Sequence, residues 1–295
     1  MKNRLSIVIP TYKRKMALVG LLRSLKGKVE KDVEIIIVEQ KENNRSVFEN
    51  EAKKLDLKIK YFFLSLPSMT GARNFGIKKA KGDIILFLDD DCIVETSLVG
   101  PLKEFDDSKV VAVGGRAYVK GEKVVENNSG RISFWGNFTN NFNSPNRQEI
   151  DSVIGCFMYW RKSVFSKIGL FDTKFTGNAL REESDLSLRA KDAGYKIIYS
   201  PLANVLHVRA DSGGARKTEG RIKWYFDFFS NETYFFLKHR PIWAVAIILL
   251  GKWEWALRCM FGFGREVSLR SFATPFIGIL DGYKKYGRWK NENRS

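Results

Sequence analysis

Three consecutive carboxylates, Asp89-Asp90-Asp91, directly follow the apolar run Ile84-Ile85-Leu86-Phe87-Leu88. Side chains two apart on an extended chain leave on the same face, so Asp89 and Asp91 could share one ligand assembly. Packed like charges are unfavourable without a counter-ion. A hard divalent cation such as Mg²⁺ or Mn²⁺ takes oxygen ligands and keeps positions open for phosphate oxygens. It offsets the charge that grows on a departing diphosphate. The competing reading is a solvated acidic turn. A second acidic group, Glu182-Glu183-Ser184-Asp185, opens a helical pattern over Glu183–Ala193 that Gly194 caps. A carboxylate there suits removal of a proton from a hydroxyl. It also suits a helix N-terminus, where negative charge complements the dipole. Between the two lies Gly71-Ala72-Arg73-Asn74-Phe75-Gly76, a glycine-spaced helix start that could approach a phosphate, with Arg73 as a cationic fork. Glycines there can equally serve packing.

The surrounding pattern says what must position these groups. Ser6–Ile9, Glu34–Val38, Lys58–Leu64 and Ile84–Leu88 read as strands, separated by helical patterns at Lys13–Leu25, Ser46–Leu55 and Gly71–Ala80. Continuous apolar strands alternating with helices predict a parallel sheet covered on both faces. Ligands of such sheets sit beyond the carboxyl ends of the strands. Pro10, Thr11 and Tyr12 follow the first strand, Glu39 the second, and the acidic run the fourth. Further on, Leu98–Phe105 reads as a helix and Val110–Gly115, Val153–Trp160, Tyr195–Tyr199 and Val205–Val208 as strands. His207 falls in the last. Residues 120–150, rich in Asn, Gly and Ser, read as a long loop or hairpin.

The 295 residues, 44% hydrophobic and 28% charged, are globular in composition, without low-complexity tracts or a 20–50-residue repeat. One α/β domain with an appendage fits better than two equal domains. The net charge of +17 suits nucleotide diphosphates, lipid phosphates, a membrane surface or nucleic acid. From His207 onward the chain carries 16 Lys+Arg and 8 Asp+Glu, a denser positive charge than before it. Cys92, Cys156 and Cys259 have no metal-type spacing and read as reduced and cytosolic. Leu5–Pro10 is too short for a signal peptide and already reads as a strand. No zinc-finger spacing or RNA-recognition aromatic motif accompanies the charge, which argues against a nucleic-acid partner.

The ordered set Ser6-Ile7-Val8-Ile9-Pro10-Thr11-Tyr12, Gly71–Gly76 and Phe87-Leu88-Asp89-Asp90-Asp91 resembles glycosyltransferase family 2. The match continues through Gly155-Cys156-Phe157, Lys167–Asp172 and Glu182–Leu186, spanning about residues 4–210. The resemblance implies the GT-A fold, a Rossmann-like mixed sheet flanked by helices, with a C-terminal helical appendage. It implies inverting transfer from a nucleotide-sugar donor to a hydroxyl, with Mn²⁺ or Mg²⁺. Residues 1–215 would form the catalytic domain, 1–95 its nucleotide-binding half and 96–215 its acceptor half. Pro10, Thr11 and Tyr12 would lie beside the donor base and ribose, with Arg14 in the same donor-binding set. Glu39 stands where the family usually has an Asp that contacts the base. Arg73 would lie near the diphosphate or base, and Asp89 and Asp90 on the ribose and sugar side. Asp91 would be the direct metal ligand, and His207 would reach the metal or diphosphate. Glu183 would be the general base, where the family usually has Asp; Glu182 and Asp185 are its rivals. Residues 210–217, with Arg216 and Lys217, read as a flap over the diphosphate. The other readings kept open are a sugar-phosphate nucleotidyltransferase, a basic nucleic-acid-binding protein and a non-catalytic interaction module. Against the first, Pro10–Arg14 lacks the glycine-rich phosphate loop.

From about Thr218 the sequence becomes helical and strongly aromatic, and residues 216–295 are expected to form a helical, membrane-associating region. Pro241–Leu250 is too short to span a bilayer, which takes about 20 residues. Lys238, His239, Arg240 and Lys252 bracket it, as in an interfacial or re-entrant helix. The alternative is a helical hairpin packed on the catalytic domain. The charge and aromatics suggest a glycan or polyprenyl-linked acceptor at the cytoplasmic, inner face of the cell membrane.

Overall fold

The computed structural model describes residues 4–208, 220–261 and 269–293. Among these, nine strands form one sheet: β1 (Leu5–Tyr12), β2 (Glu34–Gln40), β3 (Lys58–Leu64), β4 (Ile84–Leu88), β5 (Cys92–Val94), β6 (Val110–Tyr118), β7 (Gln148–Glu149), β8 (Phe157–Arg161) and β9 (Lys196–His207). Their order is β3-β2-β1-β4-β8-β6-β9-β5, with β7 pairing β9. The first four strands are mutually parallel, β8 runs antiparallel to both β4 and β6, and β6 and β9 are parallel. The sheet is therefore mixed.

Continuous apolar strands arise because both faces are covered. In β1, Ile7 and Ile9 enter one core and Val8 the other; in β4, Leu86 and Leu88 divide from Ile85 and Phe87 in the same way. Helix α1 (Lys15–Leu25) seals the first face with Leu18, Leu21, Leu22 and Leu25. Helices α2 (Arg45–Lys54) and α3 (Met69–Lys79) complete the crossovers of this half. The second face is sealed by α3 and, after the single-turn α4 (Phe165–Ile168), by α5 (Glu182–Asp192) through Leu186 and Ala190. Close approach of α3 to β1 needs a glycine: a Cβ on Gly76 would lie 2.3 Å from Val8 Cγ1.

Three local expectations change. The expected Leu98–Phe105 helix is a 3₁₀ helix over Gly100–Asp106, opened by Pro101 without a side-chain cap. The two strands expected around Pro201 are one strand, β9, and a register shift opposite Gly115 and Arg116 absorbs the extra residues. Residues 120–150 are largely irregular, tied by isolated bridges Ala117–Phe142 and Ile132–Phe138, with β7 near their end.

The C-terminal helices are α6 (Gly220–His239), α7 (Ile242–Leu250), α8 (Trp253–Phe261) and α9 (Leu269–Glu292). Tyr234, Phe235 and Phe236 of α6 form a core with Phe175, Val245 and Ile248, against which Ile132, Phe138 and Leu188 pack. None of the described helices is long and apolar enough to cross a membrane.

Candidate active site

The parallel half brings the ends of β1, β2 and β4 to one edge of the sheet. Thr11 lies opposite Glu39 in the β1–β2 register, and Asp89 begins where β4 stops. Asp90 is buried and binds Thr11, near the end of β1, and Arg14, just after it. It accepts from Thr11 Oγ1 at 2.6 Å and from Arg14 Nη1 at 3.0 Å. Hydrogen bonds to a charged group contribute about 1.5–3 kcal/mol each. Burial lifts the Asp90 carboxyl to about 7 against the opposing pull of Arg14 and Thr11. Arg14 Nη1 also reaches Asp91 Oδ2 at 2.9 Å, so one guanidinium spans two members of the run.

His207 joins this cluster through a strand absent from the sequence reading. The three-residue β5 starts immediately after Asp91 and pairs antiparallel with β9, setting Cys92 opposite His207. Val208 N donates to Asp91 O at 2.9 Å, and His207 Nε2 lies 3.2 Å from Asp91 Oδ1. Burial opposes charge on this imidazole, but the Asp91 carboxylate outweighs it and holds the pKa at about 9. A bound cation would displace the His207 proton, leaving an oxygen and an imidazole nitrogen that could both ligate Mn²⁺. Among the described residues no group of three or more His, Cys, Asp or Glu side chains is set to hold a metal. Phosphate oxygens and water would supply the remaining positions.

Arg73 lies between the two acidic groups. It is 2% exposed; Nη1 and Nη2 meet protein partners, while Nε has no hydrogen-bond partner among the described residues. Nη2 donates to Asp89 Oδ1 at 3.2 Å and to the Gly155 carbonyl at 2.8 Å, while Nη1 pairs with Glu182 Oε1. The ring of Phe171 lies beneath it, 5.6 Å to the centroid. Arg73 thus straps the acidic run after β4 to the acidic pair opening α5. Glu182 is buried with its second oxygen, Oε2, lacking a hydrogen-bond partner among the described residues.

Glu183 lies beside this strap and is only partly buried. It lines a pocket of about 160 Å³ together with Ile132, Phe138, Phe142, Ile154 and Arg181. Burial raises its pKa above the ordinary glutamate value, against Arg181 and Arg73. Ser184 Oγ donates to Glu183 Oε1 at 3.2 Å, and Ser152 Oγ lies 3.0 Å behind Ser184 Oγ. The turn delivering this pair is strained: Ala179 and Arg181 have φ of 50° and 76°, in the left-handed region. Such residues cost about 1–3 kcal/mol each unless held from outside. Arg181 is held by Glu232 of α6, at 2.7 Å from Nε, and its guanidinium stacks on Phe138.

Two sequence candidates stand apart from this cluster. Asp185 is fully buried and faces α6, ion-paired with Lys238 at 2.6 Å and with Arg189 of its own helix at 3.0 Å, and hydrogen-bonded with His239 Nε2 at 2.9 Å. Glu39 is buried and committed locally, accepting from Tyr61 Oη at 2.5 Å and from Asn44 N and Nδ2 at 2.7 and 2.6 Å. It braces the loop into α2. Gln40, not singled out in the sequence, is the residue that ties this edge together: Nε2 donates to Thr11 O and Oε1 accepts from Ser68 N, the cap of α3. Pro10 lies within β1, level with Val38, and Tyr12 is its partly exposed last residue. The expected flap at 210–217 lies outside the described residues.

The mixed α/β sheet flanked by helices, with an acidic run after β4 and a second carboxylate pair opening α5, is the GT-A architecture. The family model described as Glycosyl transferase family 2 matches residues 6–169, and the chain belongs to that family. A curated relative from Campylobacter jejuni, GalNAc(5)-diNAcBac-PP-undecaprenol beta-1,3-glucosyltransferase, is 34% identical over 30% of this chain and 29% of its own length. The glycosyltransferase YwdF of Bacillus subtilis is 27% identical over 78% of this chain and 84% of its own. The chain spans about a third or less of the first curated relatives it matches. Among solved structures, the mannosyltransferase PcManGT of Pyrobaculum calidifontis, in complex with GDP-Man and Mn²⁺, superposes with a TM-score of 0.58. It has 14% identity, with 98% of this chain and 88% of that chain covered. GalNAc-T7 with UDP, GalNAc and Mn²⁺ also superposes at 0.58, with 16% identity and 79% and 50% covered. At these identities the structures share the fold.

Proposed function

We propose that this protein is an inverting glycosyltransferase that moves a sugar from a nucleoside-diphosphate sugar to a hydroxyl acceptor. The observation that carries the reading is the Arg73 strap, which couples the acidic edge after β4 to the Glu182-Glu183 pair. Asp91 and His207 would hold Mn²⁺ or Mg²⁺, which when bound offsets charge on the departing diphosphate. Thr11 and Tyr12 close over the base and ribose at the end of β1. Pro10 and Glu39 support that wall, Glu39 through Tyr61 and Asn44. Asp89, the member of the run with most exposure, orients the ribose and sugar. Arg14 and Asp90 set the width of this edge. Glu183 takes the proton from the acceptor hydroxyl as it attacks the anomeric carbon. Glu182 is the weaker rival because Arg73 engages it, and Asp185 because α6 engages it.

The acceptor is a lipid-linked glycan precursor presented at the inner face of the cell membrane. The name of the Campylobacter relative, which specifies an undecaprenol-linked acceptor, and the basic, aromatic C-terminal region support this. In this reading residues 1–215 carry catalysis and 216–295 the membrane contact. The test is Glu183→Gln. Donor binding in the presence of Mn²⁺, measured by calorimetry, should match wild type, while transfer should fall by about 10²–10⁴. Near-normal transfer would move the base elsewhere.

A further inference from the structure

Helix α9 is packed inside out. Leu269, Phe272, Phe276, Leu280 and Tyr283 recur at three- and four-residue spacing and all face outward; Leu269 is 90% and Phe276 62% exposed. Its fully buried positions are mostly small or polar, Ser271, Thr274, Pro275, Gly278, Gly282 and Lys285, while the apolar residues it turns inward, Ile279, Tyr286 and Trp289, are only partly buried against α6. A Cβ on Gly282 would meet Ser230 O of α6 at 2.6 Å, so the two backbones nearly touch there. The contact is lined with polar pairs, including Ser230 Oγ to Asp281 at 2.7 Å and Lys285 to Asn231 Oδ1 at 3.1 Å. A helix on a water-facing surface has the opposite arrangement. Small and polar residues between helices, with apolar residues outward, are what hydrocarbon surroundings favour.

The neighbouring helices also turn apolar residues outward. Helix α7 has no charged residue, yet Ile242, Trp243, Ile247 and Leu250 are exposed. Helix α8 exposes Trp253, Leu257 and Phe261 at four-residue spacing. Ring contacts join these surfaces. Phe261 meets Phe272 at 5.5 Å, and Trp243 meets Phe134 at 5.9 Å and Trp135 at 6.3 Å. Phe134 and Trp135 belong to the loop whose Ile132 and Phe138 line the pocket beside Glu183.

We propose that α7, α8 and the outer face of α9, with Phe134 and Trp135, form a platform that seats in one leaflet of an anionic bilayer, placing the Glu183 pocket at its rim. The charge selects the occupant. Arg270, Lys284 and Arg288 are exposed on α9, while Arg258 on α8 pairs with Glu254, and a net charge of +17 opposes a second copy while attracting anionic headgroups. No described helix can cross, so the insertion is shallow, with Trp243 and Trp253 at headgroup depth. Docking stands on these residues alone; delivery of a lipid-borne acceptor to Glu183 rests on the function proposed above.

The test is flotation of the full chain with phosphatidylglycerol vesicles against phosphatidylcholine vesicles. Wild type should float with the anionic vesicles and less so in high salt. The double variant Phe276→Glu/Leu280→Glu should lose about tenfold or more in vesicle affinity. A separate Trp243→Ser variant, remote from α9, should also weaken flotation, which guards against misfolding of the first. Wild-type tryptophan fluorescence should be quenched by brominated lipid. Wild type remaining unbound at every composition would overturn the platform. So would a wild-type dimer that the double variant splits while vesicle binding stays intact. Nucleoside diphosphate release in vesicle-free buffer reads the glycosyl reaction separately: its failure with flotation intact counts against the function and not against the platform.

Discussion

Replacing Arg73 by methionine tests the strap between the two acidic sites. Arg73 and Glu182 have side chains 2% and 4% exposed, so Arg73→Met leaves a buried carboxylate without its cation. Removing one partner of a buried ion pair destabilises by about 3–5 kcal/mol. Asp89 contributes less, because its side chain is 22% exposed and water screens its loss. Met keeps much of the stem that packs over Phe171, so lost packing is a minor part. At about 2–4 °C per kcal/mol for a domain of this size, the melting temperature should drop by roughly 6–20 °C. Urea denaturation of wild type, Arg73→Met, Glu182→Gln and the double variant would measure the coupling directly. The double variant should be more stable than additivity allows by about 1–3 kcal/mol, because Glu182→Gln removes the stranded charge. A loss below about 1 kcal/mol for Arg73→Met, or strict additivity, would refute the strap.

Three further outcomes follow from the same geometry. Gly76→Ala should destabilise by about 1–3 kcal/mol in urea melts, because its Cβ would fall 2.3 Å from Val8 Cγ1; a neutral or stabilising result would contradict that packing. Burial opposes charge on Asp185, but the hydrogen bond with His239 and the charges of Arg189 and Lys238 depress its pKa. Its stabilisation is therefore complete above the unfolded aspartate value and fades as pH falls toward the depressed folded one. Asp185→Asn should cost about 3 kcal/mol at neutral pH and progressively less in acid, read from denaturation across pH. Glu183 must be ionised to act as base, and its pKa is raised, so transfer should fall on the acid side with a midpoint above 4.5; a midpoint below that value would remove Glu183 from the role.

The parallel half of the sheet was legible in the sequence because its strands are buried on both faces. Ile35-Ile36-Ile37-Val38 and Ile84–Leu88 are continuous apolar runs, and each ends where the chain turns polar. The acidic run and Thr11 stood out for that reason, and the sheet brings them together. What the sequence concealed was long-range pairing. Cys92-Ile93-Val94 is too short to signal a strand, yet its pairing with β9 sets His207 against Asp91. Arg73 has a surface residue's composition and a core residue's burial, which two distant carboxylates and the Gly155 carbonyl make tolerable. Glu39 looked like a ligand contact because it ends a strand; Tyr61 and Asn44, from a later strand and turn, claim it. The outward stripe of α9 was invisible because amphipathic periodicity gives a face but not its direction.

The most direct measurement is nucleoside diphosphate release from a panel of nucleotide sugars, with and without Mn²⁺ or Mg²⁺, for wild type and Asp91→Asn. The account predicts release from at least one donor by wild type, loss of that release with chelator, and metal-dependent donor binding weakened in Asp91→Asn. Release that ignores both chelator and the Asp91 substitution would contradict a cation held at the acidic run, and absence of release from every common donor would contradict the transferase itself.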